Sequence, residues 1–206
     1  IKERMTTTAK NPESGKIPVW DKHVRYYEVY DLSGAKIAAF YTDWHPRSNK
    51  RGGAWMDQLE YGERSNGKKD MHVGLICGNM TPSTSKSPSL LTHDEVQTIF
   101  HEFGHLLHLL LSNVELSAQG GTNVAWDFVE LPSQLMENFC WERESLDVFA
   151  KHYKTEEKIP EPLFQKMLRN RTYLSGLSNM RQLSFAKMDL DLHLDYPKFA
   201  DQEGKR

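Results

Sequence analysis

The chain has 206 residues, of which 38% are hydrophobic and 11% aromatic, so it is long enough to bury one substantial core. Its formal net charge is −2, and lysines and arginines are spread along the chain rather than clustered, which argues against nucleic acid as a partner. No polybasic segment and no apolar stretch of bilayer length is present, which argues against a membrane partner. We therefore expect one soluble globular unit.

The N-terminal residues lack the charged-then-apolar order of a signal peptide, which predicts a cytoplasmic protein. Cys77 and Cys140 both lie in apolar runs, where free buried thiols are expected rather than a disulfide. The chain starts on Ile1 rather than on methionine, and we take this as a hint that it is a piece of a longer protein.

The first part of the chain predicts strands. Residues 1–22 are polar and predict a loosely ordered segment in front of a core over residues 23–206. Runs rich in β-branched and aromatic residues at 24–30 and 36–42 flank a turn and predict a β-hairpin, and the apolar run 73–77 predicts another strand. The expected result is a small, mainly antiparallel sheet of three or four strands.

The second part predicts helices. Thr92 and Glu95 have the spacing of a capping box, and the apolar residues after them repeat with a helical period, which predicts a helix over about residues 93–112. A second helix is expected to begin near residues 126–128, with Pro132 in its first turns.

Further helices are predicted near residues 145–154, 161–170 and 173–194. The last of them is expected to direct five apolar side chains into a core: Leu174, Leu177, Met180, Phe185 and Met188. Strands followed by helices indicate an α+β fold.

The strongest chemical signal is the sequence His-Glu-x-x-His in the middle of the first predicted helix. His101 and His105 are four residues apart, so both imidazoles project from one helix face and can bind a single zinc ion. Glu102 is then placed to act as the general base that activates water. A catalytic zinc ion needs three protein ligands, so one more His, Glu or Asp is expected nearby.

Two residues are candidates for the third zinc ligand. His108 returns to the same helix face, but it lies about 10 Å along the axis from His101, so a packed or supporting histidine is the better interpretation. Position 111 is Leu, which removes the longer motif with a third histidine. Glu130, near the start of the next helix, is the preferred ligand, while a solvated glutamate at a helix start remains the alternative.

Ligand histidines in zinc sites are usually held by hydrogen bonds from supporting residues. Asp127 lies one turn before Glu130 and is a candidate for this role, although capping its own helix is an alternative. Glu137, on the same face as Glu130, is a second candidate, and His108 is a third.

Several segments together resemble the M3 family of zinc oligopeptidases, of the thimet oligopeptidase and oligopeptidase A type. They are FHEFGHLLH at 100–108, DFVELPSQLMEN at 127–138, PSLLTHDEV at 88–96 and KRGGAWM at 50–56. The resemblance covers roughly residues 20–195. It implies a zincin-like, thermolysin-like catalytic core with one zinc ion per chain, held by His101, His105 and Glu130.

The resemblance also implies hydrolysis of internal bonds in short peptides. The peptide is expected to lie as an added strand along residues 75–80, with Gly74 and Gly78 allowing close approach, although a bulge is an equal alternative for these two glycines. Gly53 is expected to line the cleft, with a plain loop as an equal alternative. Members of the family are much longer than this chain, with a helical half that walls a substrate channel and a C-terminal segment bearing Tyr and His. A zinc-binding but non-hydrolytic core is therefore the alternative function.

Overall fold

A computed structural model describes residues 1–10, 13–62, 64–65 and 68–203, and in it strands precede helices along the chain. The predicted α+β class is confirmed. The chain divides into two compact units, Ile1–Leu146 and Asp147–Arg206, where the sequence predicted one core. The candidate site lies entirely within the first unit.

The strands of the described residues all belong to the first unit. They are β1 (Lys2–Arg4), β2 (Thr6–Thr8), β3 (Ile17–Val19), β4 (Arg25–Tyr30), β5 (Lys36–Asp43), β6 (Trp55–Glu60), β7 (Arg64–Ser65), β8 (Lys68–Lys69) and β9 (His72–Cys77). The predicted hairpin corresponds to β4 and β5, and the predicted third strand corresponds to β9.

Five of these strands form one mixed sheet in the order β1-β4-β5-β9-β6. The β5 and β9 strands run parallel, and the other neighbours run antiparallel. The sheet is larger than predicted because β1 and β6 were not recognised. Most of their side chains are exposed, so neither strand carries the apolar alternation by which a strand is recognised.

The N-terminal segment is more ordered than the prediction for residues 1–22, apart from residues 11–12, which lie outside the described residues. The β1 strand pairs with β4, and β2 pairs with β3. Thr7 and Val19 are buried. The polar composition reflects the position of β1 at an edge of the sheet rather than a lack of structure.

The first helix, α1 (His93–Leu110), packs on the sheet. Thr92 caps it, with both hydrogen bonds of the predicted capping box present. Its apolar face joins β5 and β9 in the core, whose buried members are Ala38, Phe40, Ile76, Leu106, Leu109 and Leu110. The middle of α1 is therefore fixed on the sheet, and its other face is free to carry polar groups.

The remaining helices are α2 (Leu131–Glu137), α3 (Arg143–Phe149), α4 (Glu161–Arg171) and α5 (Ser175–Glu203), with 3-10 turns at Ser117–Gln119 and Asn138–Trp141. The α2 helix begins later than predicted. Pro132 occupies its first turn, where the missing N–H costs nothing, and a separate turn precedes it.

The long α5 helix differs from its prediction. Side chains expected in a core are mostly exposed, for example Leu177 at 67% and Met188 at 56%. Apolar residues are distributed around the whole helix instead of along one stripe. The helix therefore has no single apolar face that packing could bury. Within the described residues, none of the helices combines the length and apolar character that crossing a bilayer requires.

Both cysteines are free and buried, as expected. Burial raises the pKa of the Cys77 thiol and that of the Cys140 thiol to about 11, so both are protonated at neutral pH. Neither cysteine is among the residues of the candidate site.

Candidate metal centre

The α1 helix places the two histidines of the motif side by side. The His101 and His105 rings lie one turn apart with their centroids separated by 4.9 Å, at nearly a right angle. This is the arrangement that an i, i+4 spacing produces on a helix. Glu102, between them in sequence, is buried against the sheet side of the helix.

Glu130 meets both histidines from the loop that leads into α2. Its Oε2 atom lies 3.2 Å from Nε2 of His101 and 3.2 Å from Nε2 of His105. The three candidate ligand atoms are all within 4.8 Å of one another. The residues named as ligands from the sequence are thus brought together at one point.

The close approach of α2 to α1 depends on Gly104, the second of the two variable residues in the motif. A Cβ atom at this position would lie 2.5 Å from Cα of Ser133 and 2.6 Å from the carbonyl oxygen of Pro132. Backbone atoms cannot move aside as a flexible side chain can. Only glycine therefore allows α2 to pack at this distance and deliver Glu130 to the histidines.

Ser133 fixes the orientation of Glu130. This serine is fully buried, and its hydroxyl donates to Oε2 of Glu130 at 2.7 Å and lies 3.0 Å from the Glu130 carbonyl oxygen. The hydrogen bond from Ser133 outweighs the cost of burial and lowers the pKa of Glu130, with a further contribution from His105. The carboxylate is accordingly ionised at neutral pH, as a metal ligand must be.

Glu137 holds His101 from the other side of the ring. The distance between Nδ1 of His101 and Oε1 of Glu137 is 2.6 Å. Since a carboxylate accepts hydrogen bonds, Nδ1 of His101 is the donor in this contact, and Nε2 is the ring nitrogen that faces Glu130. Gln97 in turn donates to the other oxygen of Glu137 at 2.6 Å.

His105 is held differently. Its buried Nδ1 atom has no hydrogen-bond partner among the described residues, so its polar contact in the cluster is that of Nε2 with Glu130, and packing holds the other side of the ring. Burial lowers the pKa of His105, although Glu130 acts in the opposite direction. A neutral imidazole is the form that binds a metal ion.

Glu102 lies beside this cluster at the edge of the sheet. Burial raises its pKa, while the neighbouring His101 and a backbone hydrogen bond from Met56 of β6 oppose the rise. The carboxyl group lines a cavity of about 400 Å³ together with His101, Glu137, Gln97, Thr98, Asp94 and Ala54. A glutamate with a raised pKa at an open cavity suits proton transfer near neutral pH.

The donor set fits a zinc ion. Bonds of about 2.0–2.1 Å in a tetrahedral site place neighbouring ligand atoms about 3.3 Å apart, close to the 3.2 Å from each histidine nitrogen to the glutamate oxygen. Two imidazoles and one carboxylate as ligands leave the fourth tetrahedral position free, which is the pattern of catalytic sites. One histidine also has the carboxylate partner that such sites usually provide.

Other predicted site residues are not brought to the cluster. Asp127 is exposed in the turn before α2 and does not contact a ligand histidine. His108 packs with its ring centroid 6.2 Å from that of Phe128, and burial lowers its pKa. Of the three candidates for support of the ligands, only Glu137 makes a direct contact with one.

The glycines predicted to bind substrate have different positions. A Cβ atom on Gly74 would lie 2.3 Å from Leu106, and one on Gly78 would lie 3.0 Å from Trp44, so both glycines face internal packing. Gly53 lies in a turn with φ of +83° and nothing within 4 Å of its Cβ position. None of the three lines the cavity beside Glu102.

The prediction that residues 75–80 form the edge of the sheet is wrong. The β6 strand pairs with β9 on that side, which makes β9 internal and leaves β6 as the edge next to Glu102. The sequence of β6 contains Asp57, Gln58 and Glu60, and because these exposed residues are polar, β6 is not an apolar run that predicts a strand. An exposed edge strand of this kind is where polar residues are expected.

Sequence reasoning also missed four residues that build the site: Gly104, Ser133, Gln97 and Met56. A glycine in the middle of a strongly amphipathic helix was an available signal, since glycine there costs about 1 kcal/mol and needs a packing reason. Gln97 and Met56 act through long-range contacts that no local pattern reveals, whereas Ser133 contacts Glu130 from only three residues away.

We expect Glu137→Ala to weaken zinc binding by about 10- to 100-fold, because His101 loses the partner that fixes its tautomer and ring angle. The measurement is a competition titration with a chromophoric zinc chelator. Glu142→Ala, a nearby glutamate five residues further on, is the control and should leave the affinity unchanged. Equal affinities for wild type and Glu137→Ala would show that the contact has no part in metal binding.

These features define an α+β protein with a candidate metal centre made by two helices against the edge of a mixed sheet. The sequence profile of peptidase family M3 matches residues 4–204. The chain belongs to this family, and the resemblance found in the sequence is thereby confirmed.

Relatives agree with this assignment. The chain is 47% identical over 192 residues to organellar oligopeptidase A, chloroplastic/mitochondrial, of Arabidopsis thaliana. This alignment covers 90% of this chain and 24% of the relative. It is 46% identical over 192 residues to a probable cytosolic oligopeptidase A of the same plant, covering 90% and 27%. It is 41% identical over 198 residues to oligopeptidase A of Escherichia coli (strain K12), covering 95% and 29%. The chain thus spans about a quarter of the length of these relatives.

Proposed function

We propose that this chain is a zinc-dependent endopeptidase core that hydrolyses internal bonds of short oligopeptides. One observation carries the proposal: Nε2 of His101 and Nε2 of His105 converge on a single oxygen of Glu130, next to the buried carboxyl group of Glu102. The names of the relatives support the substrate class, because those proteins are called oligopeptidases.

In this proposal His101, His105 and Glu130 hold the zinc ion. When bound, zinc supplies Lewis-acid chemistry, which polarises the scissile carbonyl and lowers the pKa of water towards 7. Glu102 takes a proton from the attacking water and later delivers it to the leaving amine. The raised pKa of Glu102 suits both steps, since the group must accept and then release a proton near neutral pH.

Glu137 and Ser133 act on the ligands rather than on the substrate. Glu137 keeps the proton of His101 on Nδ1, and Ser133 keeps one oxygen of Glu130 directed at the histidines. Fixed ligands need little rearrangement when the metal and the substrate bind.

The β6 strand is the proposed binding edge for the peptide. An extended peptide can join an exposed sheet edge through backbone hydrogen bonds. Because these bonds involve only the main chain, peptides with many different side chains can bind in this way. Ala54 immediately precedes β6 and lines the cavity with Glu102, so a peptide along β6 passes the base. This replaces the earlier expectation for residues 75–80 and keeps the same recognition chemistry.

A zincin-like, thermolysin-like arrangement is part of the proposal. It is supported by the order of elements: a mixed sheet with an exposed edge strand, a motif helix packed on it, and a second helix whose entry supplies the third ligand. The proposed catalytic core extends over residues 23–206, as the sequence predicts, and includes the strands that brace the motif helix.

The alternative function is a zinc-binding core that does not hydrolyse peptides. The chain matches about a quarter of the length of its relatives, so metal binding and peptide hydrolysis by this stretch are tested separately. A cytoplasmic location stays a prediction, because the relatives are named as both cytosolic and organellar proteins.

The proposal is tested by elemental analysis of zinc together with cleavage of a quenched fluorescent oligopeptide, for wild type and Glu130→Ala. We expect one zinc ion per chain in the wild type. In Glu130→Ala the affinity for zinc should fall by more than the roughly 100-fold that loss of a residue supporting a ligand costs. Cleavage should disappear with the metal.

The matched control is Glu115→Ala, at an exposed glutamate outside the cluster, which should retain zinc and cleavage. Zinc without cleavage in the wild type would favour the non-hydrolytic alternative. A wild type that binds no zinc would refute both functions.

A further inference from the structure

The turn that leads into β6 is held by side chains from outside it. Arg51, Gly52 and Gly53 form this turn, Ala54 follows it at the wall of the cavity, and the backbone of Met56 hydrogen-bonds Glu102. The position of the turn therefore sets the position of the strand start relative to the candidate base. Gly53, with φ of +83°, lets the chain reverse there.

Asn79 makes both contacts that close this turn. Its side-chain Nδ2 donates to the carbonyl oxygen of Arg51 at 2.9 Å and to that of Gly53 at 2.7 Å. Both hydrogens of one amide group are used, across 28 and 26 positions of sequence. An aspartate of the same shape could not replace it, because a carboxylate only accepts.

Lys50 anchors the chain just before the turn. Its side chain is 2% exposed, and its ammonium group donates to the carbonyl oxygens of Asp43, His45 and Gly78 as well as to the Asp43 carboxylate. These bonds tie the turn to the ends of β5 and β9. Lys50 thus fixes the chain just before the turn, and Asn79 holds the turn itself.

Resting on the proposed function, we propose that Asn79 is a positioning residue, which holds the start of β6 in the geometry that binds an extended peptide beside Glu102. It touches neither the candidate ligands nor the base. It acts by keeping the backbone of residues 54–57 ordered before the peptide binds. The loss of backbone entropy on peptide binding is therefore smaller.

The test is amide hydrogen exchange of the zinc-loaded chain over residues 54–57, for wild type, Asn79→Asp and Asn79→Ala. Because both variants lose the two hydrogen bonds from Asn79 to the turn, exchange over residues 54–57 should be at least tenfold faster in each of them. In the Glu102→Gln background, a blocked oligoalanine peptide should slow exchange of these amides, and the Asn79 variants should need about tenfold more peptide for the same protection. Where cleavage is measurable, the loss should fall mainly on KM.

Asp31→Ala is the matched control, because Asp31 also holds a turn through hydrogen bonds to backbone N–H groups, at the opposite end of β5. It should speed exchange in its own turn and leave residues 54–57 and the peptide protection unchanged. Unchanged exchange over residues 54–57 in Asn79→Asp would overturn the positioning role. Because exchange needs no turnover, a chain that cleaves nothing would count against the proposed function without deciding this one.

Discussion

Glu102→Gln is expected to abolish peptide cleavage while one zinc ion per chain stays bound. Glutamine keeps the shape and the buried position of the side chain but cannot take a proton from water, and loss of a general base costs about 10²- to 10⁴-fold in rate. The measurement is kcat/KM on a quenched fluorescent oligopeptide, with zinc content determined on the same samples.

The control for this variant is Glu115→Gln, an exposed glutamate outside both the cluster and β6, which should keep its full rate. Retained cleavage in Glu102→Gln would remove Glu102 from the mechanism, whatever the zinc content. Loss of zinc along with activity would instead mean that the Glu102 carboxylate supports the metal centre rather than the water.

Gly104→Ala is expected to damage both stability and zinc binding. The new Cβ atom would lie 2.5 Å from Cα of Ser133, so α2 must move away from α1. Overpacking of side chains costs about 1–3 kcal/mol, and a contact with backbone atoms should reach the upper part of that range or exceed it. Movement of α2 also carries Glu130 away from the histidines, so the affinity for zinc should fall at least tenfold.

Chemical denaturation of the metal-free chain and a chelator competition of the zinc-loaded chain measure these two effects separately. Gly176→Ala is the matched control, because this glycine is also helical but has nothing within 4 Å of its Cβ position. It should leave zinc binding unchanged and stabilise α5 by up to about 1 kcal/mol, since alanine is the better helix former. A Gly104→Ala protein as stable as the wild type would show that α2 can shift without cost.

These two predictions concern the same small region for different reasons. In the proposed mechanism Glu102 is a chemical requirement, and the motif alone predicts its identity. Gly104 is a steric requirement, since its role is defined by backbone atoms of another helix, 28 to 29 positions further along the chain.

Local patterns were sufficient for the elements near the motif. The capping box at Thr92 and Glu95, the extent of α1 and the β4–β5 hairpin were all predicted from sequence, because each depends on residues within a few positions of one another. The cluster of His101 and His105 follows from the pitch of a helix in the same way.

Patterns failed where exposure hid the element. The β1 and β6 strands are edge strands with mostly polar, exposed side chains, and their backbone pairing leaves no period in the sequence. The position of β6 moved the proposed binding edge away from residues 75–80. The α5 helix gave the opposite error, since its apolar residues suggested a buried face that the described residues do not provide.

The amino-acid sequence by itself determined the α+β class, the motif helix and membership of peptidase family M3, and it predicted Glu130 as the third ligand. Only the tertiary structure decided which distant groups meet around the site: Glu137 rather than Asp127 lies beside His101, and Asn79 lies at the turn before β6. The physical reason is range. A helix repeats every 3.6 residues and leaves a trace in the sequence, whereas a hydrogen bond between segments 26 to 36 residues apart leaves none until packing brings the two groups together.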